Sequence, residues 1–296
     1  MKVHRFYIKD ISSALKVGDT YNLIDDRVIY QCIKVLRLEK YEYISLFDDK
    51  IEYLTEIKSL NNNKRQLSIE VSVIKVDKEE SRDEYMSLKS NINKNYRQVN
   101  LYMSAIKKSN FELILEKSVE LGIDNVIPII SERSERSNVL AVTSPNFTER
   151  AELIIIEATE QCGRRKLMNY TSPLSLSLTP GYARATPGKP TFLPSPLTPL
   201  QDLERGTTQN SNSVNIFAHI GAVKGVYQTL KEIKEKQKGL PLEINLFVGP
   251  EGGWTEREVN QMLDYGFFPV SLGQYVLRAE TAAIVMAAAA LSLEHL

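Results

Sequence analysis

Hydrophobic and polar positions alternate along the first third of the chain. Stretches rich in β-branched and aromatic residues, separated by polar turn clusters, predict strands at Tyr7–Ile8, Thr20–Ile24, Val28–Ile33, Tyr43–Phe47 and Leu67–Val76. Short strands at regular spacing are typical of a small barrel or sandwich. The segment from residue 77 to residue 98 is polar and poor in apolar residues, so we expect a linker and a domain boundary there.

From residue 99 onward the pattern alternates between strands and helices. Strands are predicted at Asn100–Ala105 and Val126–Ile130, and between them Ser109 and Glu112 have the spacing of a capping box that opens a helix ending at Gly122. A second helix is predicted to follow Thr148. Strands that alternate with helices favour a parallel α/β sheet, so we expect one α/β domain over residues 99–296.

A proline-rich stretch interrupts this domain at about residues 171–213. It holds seven of the 12 prolines of the chain together with many Ser and Thr residues. Because proline lacks an N–H donor, a packed helix or a central strand is not expected here. The composition predicts a long exposed insert, and a proline-rich binding segment is the functional alternative.

Two strand–loop–helix units follow each other near the carboxyl terminus. The apolar strand Glu243–Val248 runs into Gly249–Gly253, and Thr255 and Glu258 then form a predicted capping box. A second strand, Phe267–Leu272, leads through Gly273 and residues 274–281 into an alanine-rich helix. In a parallel sheet both loops emerge at carboxyl ends of strands, where α/β proteins bind ligands, so we expect the two loops to face each other around a ligand. The alternative for either loop alone is a tight turn without a ligand.

Composition and charge narrow the possible classes of protein. The chain has 296 residues, 43% of them hydrophobic, with 37 basic and 37 acidic residues, which is typical of a globular protein without a global basic excess. Cys32 and Cys162 lack a C-x-x-C partner, and the three histidines have no helical partner of ligand type. We therefore expect no metal and a reducing, cytoplasmic location. The longest apolar run, Ala282–Leu291, is half of the roughly 20 residues that span a bilayer, so no membrane segment is expected.

An ordered set of motifs resembles one known family. Gly249-Pro250-Glu251-Gly252-Gly253 is followed by Leu272-Gly273 and then by Val276-Leu277-Arg278-Ala279-Glu280-Thr281-Ala282. Further matches are His4–Tyr7, Val35–Arg37, Glu116–Gly122, Ser131–Ser134 and Glu157–Arg164. Together they resemble the ribosomal RNA small subunit methyltransferase E family.

The resemblance implies a fold and a function. The implied fold is α/β: a knotted (deep trefoil) SPOUT methyltransferase domain at residues 99–296, preceded by a small PUA-like β-barrel RNA-binding domain at residues 1–76 and a linker at 77–98. The implied activity is S-adenosylmethionine-dependent methylation of N3 of a specific uridine in 16S rRNA, a step of rRNA processing and ribosome biogenesis. The implied partners are 16S rRNA in the small ribosomal subunit and a second copy of the chain in a homodimer.

The resemblance also implies the site residues. Arg278 is the candidate for orienting the uracil or stabilising charge on its oxygens, and Glu280 or Glu251 could accept the N3 proton or merely cap a helix or bind the arginine. The expected cofactor-binding residues are Val248, Gly249, Pro250, Glu251, Gly252, Gly253, Leu272, Gly273, Val276, Leu277, Thr281 and Ala282. The candidates for contacts to RNA phosphates, which position RNA without reading its sequence, are Arg5, Arg37, Arg133, Arg136, Arg164 and Arg165. The alternative for any one of them is a solvated surface charge.

Two other classes of protein stay open at this stage. One is a noncatalytic RNA-binding protein on the same fold. The other is a nucleotide-dependent enzyme that uses Gly249–Gly253 as a phosphate cradle, which is disfavoured because neither loop has the Lys and Ser/Thr of a P-loop. The target nucleotide, the identity of any general base, the role of the insert, and the choice between free rRNA and assembled subunit also stay open.

Overall fold

The computed structural model describes residues 3–11, 15–63, 66–78, 97–176, 213–237 and 243–292. Its contacts divide the chain into two compact units. Unit 1 comprises Met1–Lys94 with Ile155–Leu167, and unit 2 comprises Asn95–Ile154 with Met168–Leu296. Most of the predicted linker and of the predicted insert lie outside the described residues, so both stay predictions.

Unit 1 is built on one five-stranded sheet. The strands are β1 (His4–Tyr7), β2 (Thr20–Asn22), β3 (Tyr43–Phe47), β4 (Ile51–Asn63) and β5 (Gln66–Lys78), in the order β1-β3-β4-β5-β2. The pair β1 and β3 is parallel, and the other pairs are antiparallel. Strand β4 was not predicted, although Ile51, Tyr53, Thr55 and Ile57 alternate as buried positions on one face.

The predicted strand at Val28–Ile33 is wrong, because this segment is helical. Helix α1 (Asp26–Tyr30) continues into a π-helical turn at Gln31–Val35. The side chain of Asp25 caps the helix by accepting hydrogen bonds from the backbone N–H groups of Arg27 and Val28. Val28, Ile29, Cys32 and Ile33 are all buried in the core of the unit. This four-residue spacing of apolar pairs is typical of one face of a helix, and it outweighs the strand propensity of the β-branched residues.

Unit 2 is an α/β unit around a parallel sheet. Its strands are β6 (Gln98–Ser104), β7 (Asn125–Ile130), β8 (Asn169–Tyr170), β9 (Leu174–Ser175), β10 (Ser213–Ala218), β11 (Glu243–Val248) and β12 (Phe268–Val270). The order is β12-β10-β11-β6-β7-β8, with β9 also paired to β7, and every pairing is parallel. The predicted α/β pattern of this part of the chain is therefore confirmed.

In the described residues, six helices lie in this part of the chain, and residues 155–162 at the end of one of them belong to unit 1. They are α2 (Lys108–Leu121), α3 (Arg136–Val142), α4 (Pro145–Cys162), α5 (Val226–Gln237), α6 (Glu256–Asp264) and α7 (Ala279–Leu291). Helix α2 ends as predicted at Gly122, whose φ of 101° is in the left-handed region. Its predicted capping box is wrong: Lys107 is the N-cap, without a side-chain hydrogen bond, because the carbonyl of Lys107 accepts the first helical bond from Phe111. In the described ranges, we find no helix with the length and apolarity to cross a membrane.

A row of asparagine side chains crosses five strands of the unit 2 sheet. Asn215, Asn245, Asn100, Asn125 and Asn169 lie in register on β10, β11, β6, β7 and β8. Four of the amides donate to the carbonyl oxygen of a neighbour, from Asn245 to Asn215, Asn100 to Asn245, Asn125 to Asn100 and Asn169 to Asn125, over 2.5–2.9 Å. This asparagine ladder ties the five strands to one register, because a slip of one residue would move the amides to the other face.

Candidate functional site

The loops that carry the predicted site share one edge of the unit 2 sheet, since all strands of this sheet run parallel. The glycine loop, Gly249–Gly253, follows β11, and residues 271–278 follow β12. In the strand order, β10 lies between β11 and β12, so the two loops are not immediate neighbours; that they face each other around a ligand stays a prediction. At a strand spacing of about 4.8 Å, the two strand ends are roughly 10 Å apart, and the loop after β10 lies between them.

The glycine loop contains two positions that favour glycine. Gly253 has a φ of 67° and donates its N–H to the carbonyl of Pro250 over 2.9 Å, which closes a tight turn. An added Cβ at Gly249 would lie 3.1 Å from the indole ring of Trp254. Trp254 is buried and donates its Nε1–H to the carbonyl of Ala218, the last residue of β10, over 3.0 Å. Trp254 thereby fixes the glycine loop to the neighbouring strand.

The loop after β12 is more open. Gly273 has a φ of 130°, and Tyr275 and Val276 are 76% and 74% exposed. Arg278 is the exposed N-cap residue of α7, and in the described part of the chain its side chain forms no hydrogen bond or ion pair. The Arg278–Glu280 ion pair that the sequence left open is therefore absent from this part of the structure. The other predicted residues of this loop differ in their exposure to solvent: Leu272, Leu277 and Glu280 are half-buried, Thr281 is exposed and Ala282 is buried.

A buried carboxylate, Glu258, organises the start of α6. The predicted capping box is confirmed: Thr255 Oγ1 accepts from the Glu258 N–H at 3.2 Å, and Glu258 Oε2 accepts from the Thr255 N–H at 2.8 Å. The second oxygen, Oε1, accepts from the backbone N–H of Glu132 at 2.9 Å. Glu258 is only 1% exposed, and its position in the first helical turn suits a negative charge. Sequence reasoning recognised the cap but missed this link to the loop after β7.

Arg133, predicted as an RNA contact, lies on the glycine loop. Its Nη1 donates to the carbonyl of Gly252 at 2.9 Å and to the carbonyl of Trp254 at 3.2 Å. Arg136 is exposed at the start of α3.

Two other predicted RNA contacts, Arg5 and Arg165, are bound within unit 1. Arg5 forms a bidentate pair with Glu52, with distances of 2.9 and 3.1 Å, and stacks 4.2 Å from the ring centroid of Phe47. Arg165 is 7% exposed and pairs with Asp77 at 3.0 Å. Arg164 is half-buried, and its carbonyl accepts from Arg5.

The pKa of Glu52 reflects this arrangement. Burial raises the pKa of this carboxyl group, but hydrogen bonds from Arg5 and Ser45 and the charges of Arg5 and Arg165 outweigh burial, so that the net shift is downward. The Arg5–Glu52 pair therefore stabilises unit 1 in its charged form.

Unit 1 also contains a basic groove of about 810 Å³. Four cations and one carboxylate line it, together with polar and apolar residues: Ile33, Lys34, Arg37, Leu38, Glu39, Lys40, Lys58, Ser59, Leu60 and Asn62. Next to it in sequence, Tyr41 is 62% exposed, with Lys40 Nζ 4.7 Å from its ring centroid. Arg37 and Tyr41 have φ values of 54° and 75°, strained values for residues other than glycine. Of the predicted RNA contacts, Arg37 is the one in this groove.

Two glycines of the unit 2 loops have open space beside their backbone. An added Cβ at Gly253 or Gly273 would meet no protein atom within 4 Å, so the space beside each backbone is open. Both residues have a positive φ, which residues with a side chain rarely adopt, so glycine is favoured here by its backbone conformation and not by crowding. Backbone groups at these positions are therefore accessible to a ligand at the carboxyl edge of the sheet.

Comparison with known proteins relates this arrangement to RNA methyltransferases. The model of the RNA methyltransferase domain family matches residues 93–182 and 190–291. The chain is 33% identical over 179 residues to ribosomal RNA small subunit methyltransferase E of Synechocystis, an alignment that spans 60% of this chain but only 48% of that protein. It is 25% identical to the protein of the same name from Buchnera aphidicola of Schizaphis graminum, over 96% of this chain and 93% of the relative.

Solved structures extend the similarity to the full chain. A ribosomal RNA small subunit methyltransferase E from Neisseria gonorrhoeae, crystallised with bound S-adenosylmethionine, is 25% identical with a TM-score of 0.67, over 99% of this chain and 98% of that one. A protein from Porphyromonas gingivalis, 21% identical with a TM-score of 0.64 over 99% and 97% of the two chains, has the same fold. The family resemblance noted in the sequence is thereby confirmed.

Proposed function

We propose that this chain, which belongs to the RNA methyltransferase domain family, methylates small-subunit ribosomal RNA with S-adenosylmethionine as the methyl donor. The observation that carries the proposal is the pair of glycine-containing loops at the carboxyl edge of the unit 2 sheet, within a fold similar along its full length to the cofactor-bound Neisseria protein. The finer proposal is that the methyl group goes to N3 of one specific uridine in 16S rRNA.

The cofactor would lie against the backbone of Val248–Gly253 and Leu272–Leu277, with Thr281 and Ala282 at its side. S-adenosylmethionine supplies an already activated methyl group, so the main task of the protein is to align donor and acceptor. The open space beside Gly253 and Gly273 supports this assignment, as does the fixed turn from Pro250 to Gly253. Neither feature needs a metal ion.

Arg278 would act on the base. Its guanidinium is exposed and has no partner in the described part of the chain, so its donors are available to the uracil oxygens. There it would stabilise the negative charge that develops when the N3 proton leaves. Glu280 and Glu251 are the candidate carboxylates for accepting this proton, and we leave the choice between them to mutagenesis.

The RNA would also contact unit 1. We propose that the phosphates bind the basic groove through Arg37, Lys34, Lys40 and Lys58, because four cations around one carboxylate give it a net positive charge. The exposed ring of Tyr41 beside it offers a stacking surface for an unpaired base. Arg136 stays a candidate phosphate contact, whereas the guanidinium of Arg5 and the Nη2 of Arg165 form pairs within unit 1.

We further propose the finer features of the family for this chain: a deep trefoil knot of SPOUT type in unit 2, a PUA-like barrel in unit 1, a homodimer and a cytoplasmic location. Exposed apolar residues in the loops after β10 and β12, which are Ile220, Val223, Tyr275 and Val276, support a surface that a second copy covers. Light scattering on the purified chain would test the dimer, and a mass of one chain would contradict it.

The test of the proposed function is methyl transfer in vitro. Small ribosomal subunits from cells that lack the protein are incubated with labelled S-adenosylmethionine and either the wild-type chain or Arg278→Ala. We expect incorporation with the wild type and at least a hundredfold slower incorporation with the variant, about the effect of losing one oxyanion donor. Lys231→Ala, which removes an exposed cation of helix α5, is the matched control and should match the wild type. Binding of RNA without any transfer would favour a noncatalytic RNA-binding protein instead.

A further inference from the structure

Two peptide groups, one in the glycine loop and one directly after it, have both their carbonyl oxygen and their N–H in hydrogen bonds. In the peptide that joins Gly252 to Gly253, the carbonyl accepts from Arg133 and the N–H donates to Pro250. In the peptide that joins Trp254 to Thr255, the carbonyl accepts from the same Arg133 nitrogen and the N–H donates to Glu258. Because a peptide is planar, fixing both its oxygen and its N–H fixes its orientation.

The segment that carries Arg133 is itself tied to this loop. The backbone N–H of Glu132 donates to Glu258 Oε1, the second oxygen of the carboxylate that holds the Thr255 N–H. An added Cβ at Gly252 would lie 3.3 Å from the Cβ of Arg133, so the absence of a side chain at Gly252 allows the close approach. The loop after β7 and the glycine loop therefore form one hydrogen-bonded network within unit 2.

We propose that Arg133 is a positioning residue that holds the glycine loop in its cofactor-binding shape, rather than an RNA contact. This inference rests on the proposed function of the loop. One guanidinium nitrogen makes charge-assisted hydrogen bonds to two carbonyls, and these bonds direct both carbonyls toward Arg133. The same contacts make the loop rigid before the cofactor arrives, which lowers the entropy lost on binding.

The experiment compares Arg133→Ala and Arg133→Lys with wild type. Calorimetry gives the dissociation constant for S-adenosylmethionine, steady-state kinetics gives KM for cofactor and for RNA separately, and amide exchange is followed without cofactor. We expect Arg133→Ala to weaken cofactor binding about tenfold or more, to leave KM for RNA within about twofold, and to accelerate exchange of the Gly253 and Thr255 amides. Arg133→Lys keeps the charge on one ammonium group, so its cofactor affinity and amide exchange should lie between those of wild type and Arg133→Ala. Arg150→Ala, an exposed arginine of α4, is the control and should change none of these values.

Each outcome decides between distinct explanations. Cofactor affinity equal to wild type in Arg133→Ala, with a raised KM for RNA, would overturn the positioning role in favour of an RNA contact. If wild type itself binds no S-adenosylmethionine, the proposed function fails, while unchanged amide exchange at Gly253 and Thr255 would separately refute the positioning role. Should Arg133→Ala not fold, the same readouts on Arg133→Lys decide.

Discussion

The asparagine ladder predicts a large loss of stability when its central member is removed. Asn100 lies on the middle strand β6, is fully buried, donates to Asn245 at 2.8 Å and accepts from Asn125 at 2.5 Å. The change Asn100→Ala removes both bonds, together with the bond that the Asn100 amide donates to Glu243 Oε1 and the bond that Asn100 Oδ1 accepts from Gln98. It leaves an acceptor on Asn245 and a donor on Asn125 without these partners, in residues that are only 7% and 5% exposed.

The expected magnitude follows from the cost of buried polar atoms without a partner. Each such atom costs about 1–3 kcal/mol, so the two together should lower the free energy of unfolding by about 2–6 kcal/mol. A typical domain is stable by about 5–15 kcal/mol in total. Asn100→Ala should therefore remove a large part of the stability of unit 2.

Urea denaturation followed by tryptophan fluorescence measures this effect. Trp254 is the one tryptophan of the chain and is buried in unit 2, so its emission reports the unfolding of that unit. The matched control is Asn260→Ala, an exposed asparagine of helix α6, for which we expect a change within about 0.5 kcal/mol. Equal denaturation midpoints for the two variants would refute the claim that the ladder stabilises the sheet.

Three further predictions concern other parts of the molecule. Gly253→Val should weaken S-adenosylmethionine binding at least about tenfold by calorimetry, because a β-branched residue at a φ of 67° is strained; unchanged affinity would remove this loop from the cofactor site. The pKa of Glu52 is lower in the folded protein than in the unfolded chain. Its pair with Arg5 therefore stabilises unit 1 at pH values above the pKa of the unfolded chain, and this stabilisation is lost as the pH falls through the pKa of the folded protein. The melting temperature should therefore fall more steeply between pH 7 and pH 3 for wild type than for Glu52→Gln. An equal dependence of the melting temperature on pH in the two proteins would contradict this. A thiol reagent at about pH 8 should modify Cys162, which is exposed, and spare Cys32, where burial raises the pKa to about 12; two modified thiols in the native chain would be inconsistent with the structure.

Local signals in the sequence predicted much of unit 2. Thr255 and Glu258 form the expected capping box, and Gly122 ends α2 in the expected left-handed conformation. Both features depend on residues within one helical turn, so the information is local. The same holds for the two strand–loop–helix units: β11 ends directly before Gly249 as predicted, whereas β12 spans Phe268–Val270 and is shorter than the predicted strand Phe267–Leu272.

The hydrophobic pattern of the sequence could not predict features that join residues far apart along the chain. The strand order, which puts β10 between β11 and β12, depends on packing across the whole sheet. The asparagine ladder joins residues from five strands, and asparagine in sequence indicates a turn more often than a sheet. The sequence could not show that Arg5 pairs with Glu52 or that Arg133 donates to the Gly252 carbonyl, because these partners are 47 and 119 residues away along the chain.

The most direct test of the proposed activity is nucleoside analysis of small-subunit rRNA from cells with and without this protein. Mass spectrometry of the digested 16S rRNA identifies each methylated nucleoside and its amount. We predict that one 3-methyluridine is lost without the protein, returns with the wild-type chain and does not return with Arg278→Ala. An unchanged set of methylated nucleosides in the cells that lack the protein would contradict the account.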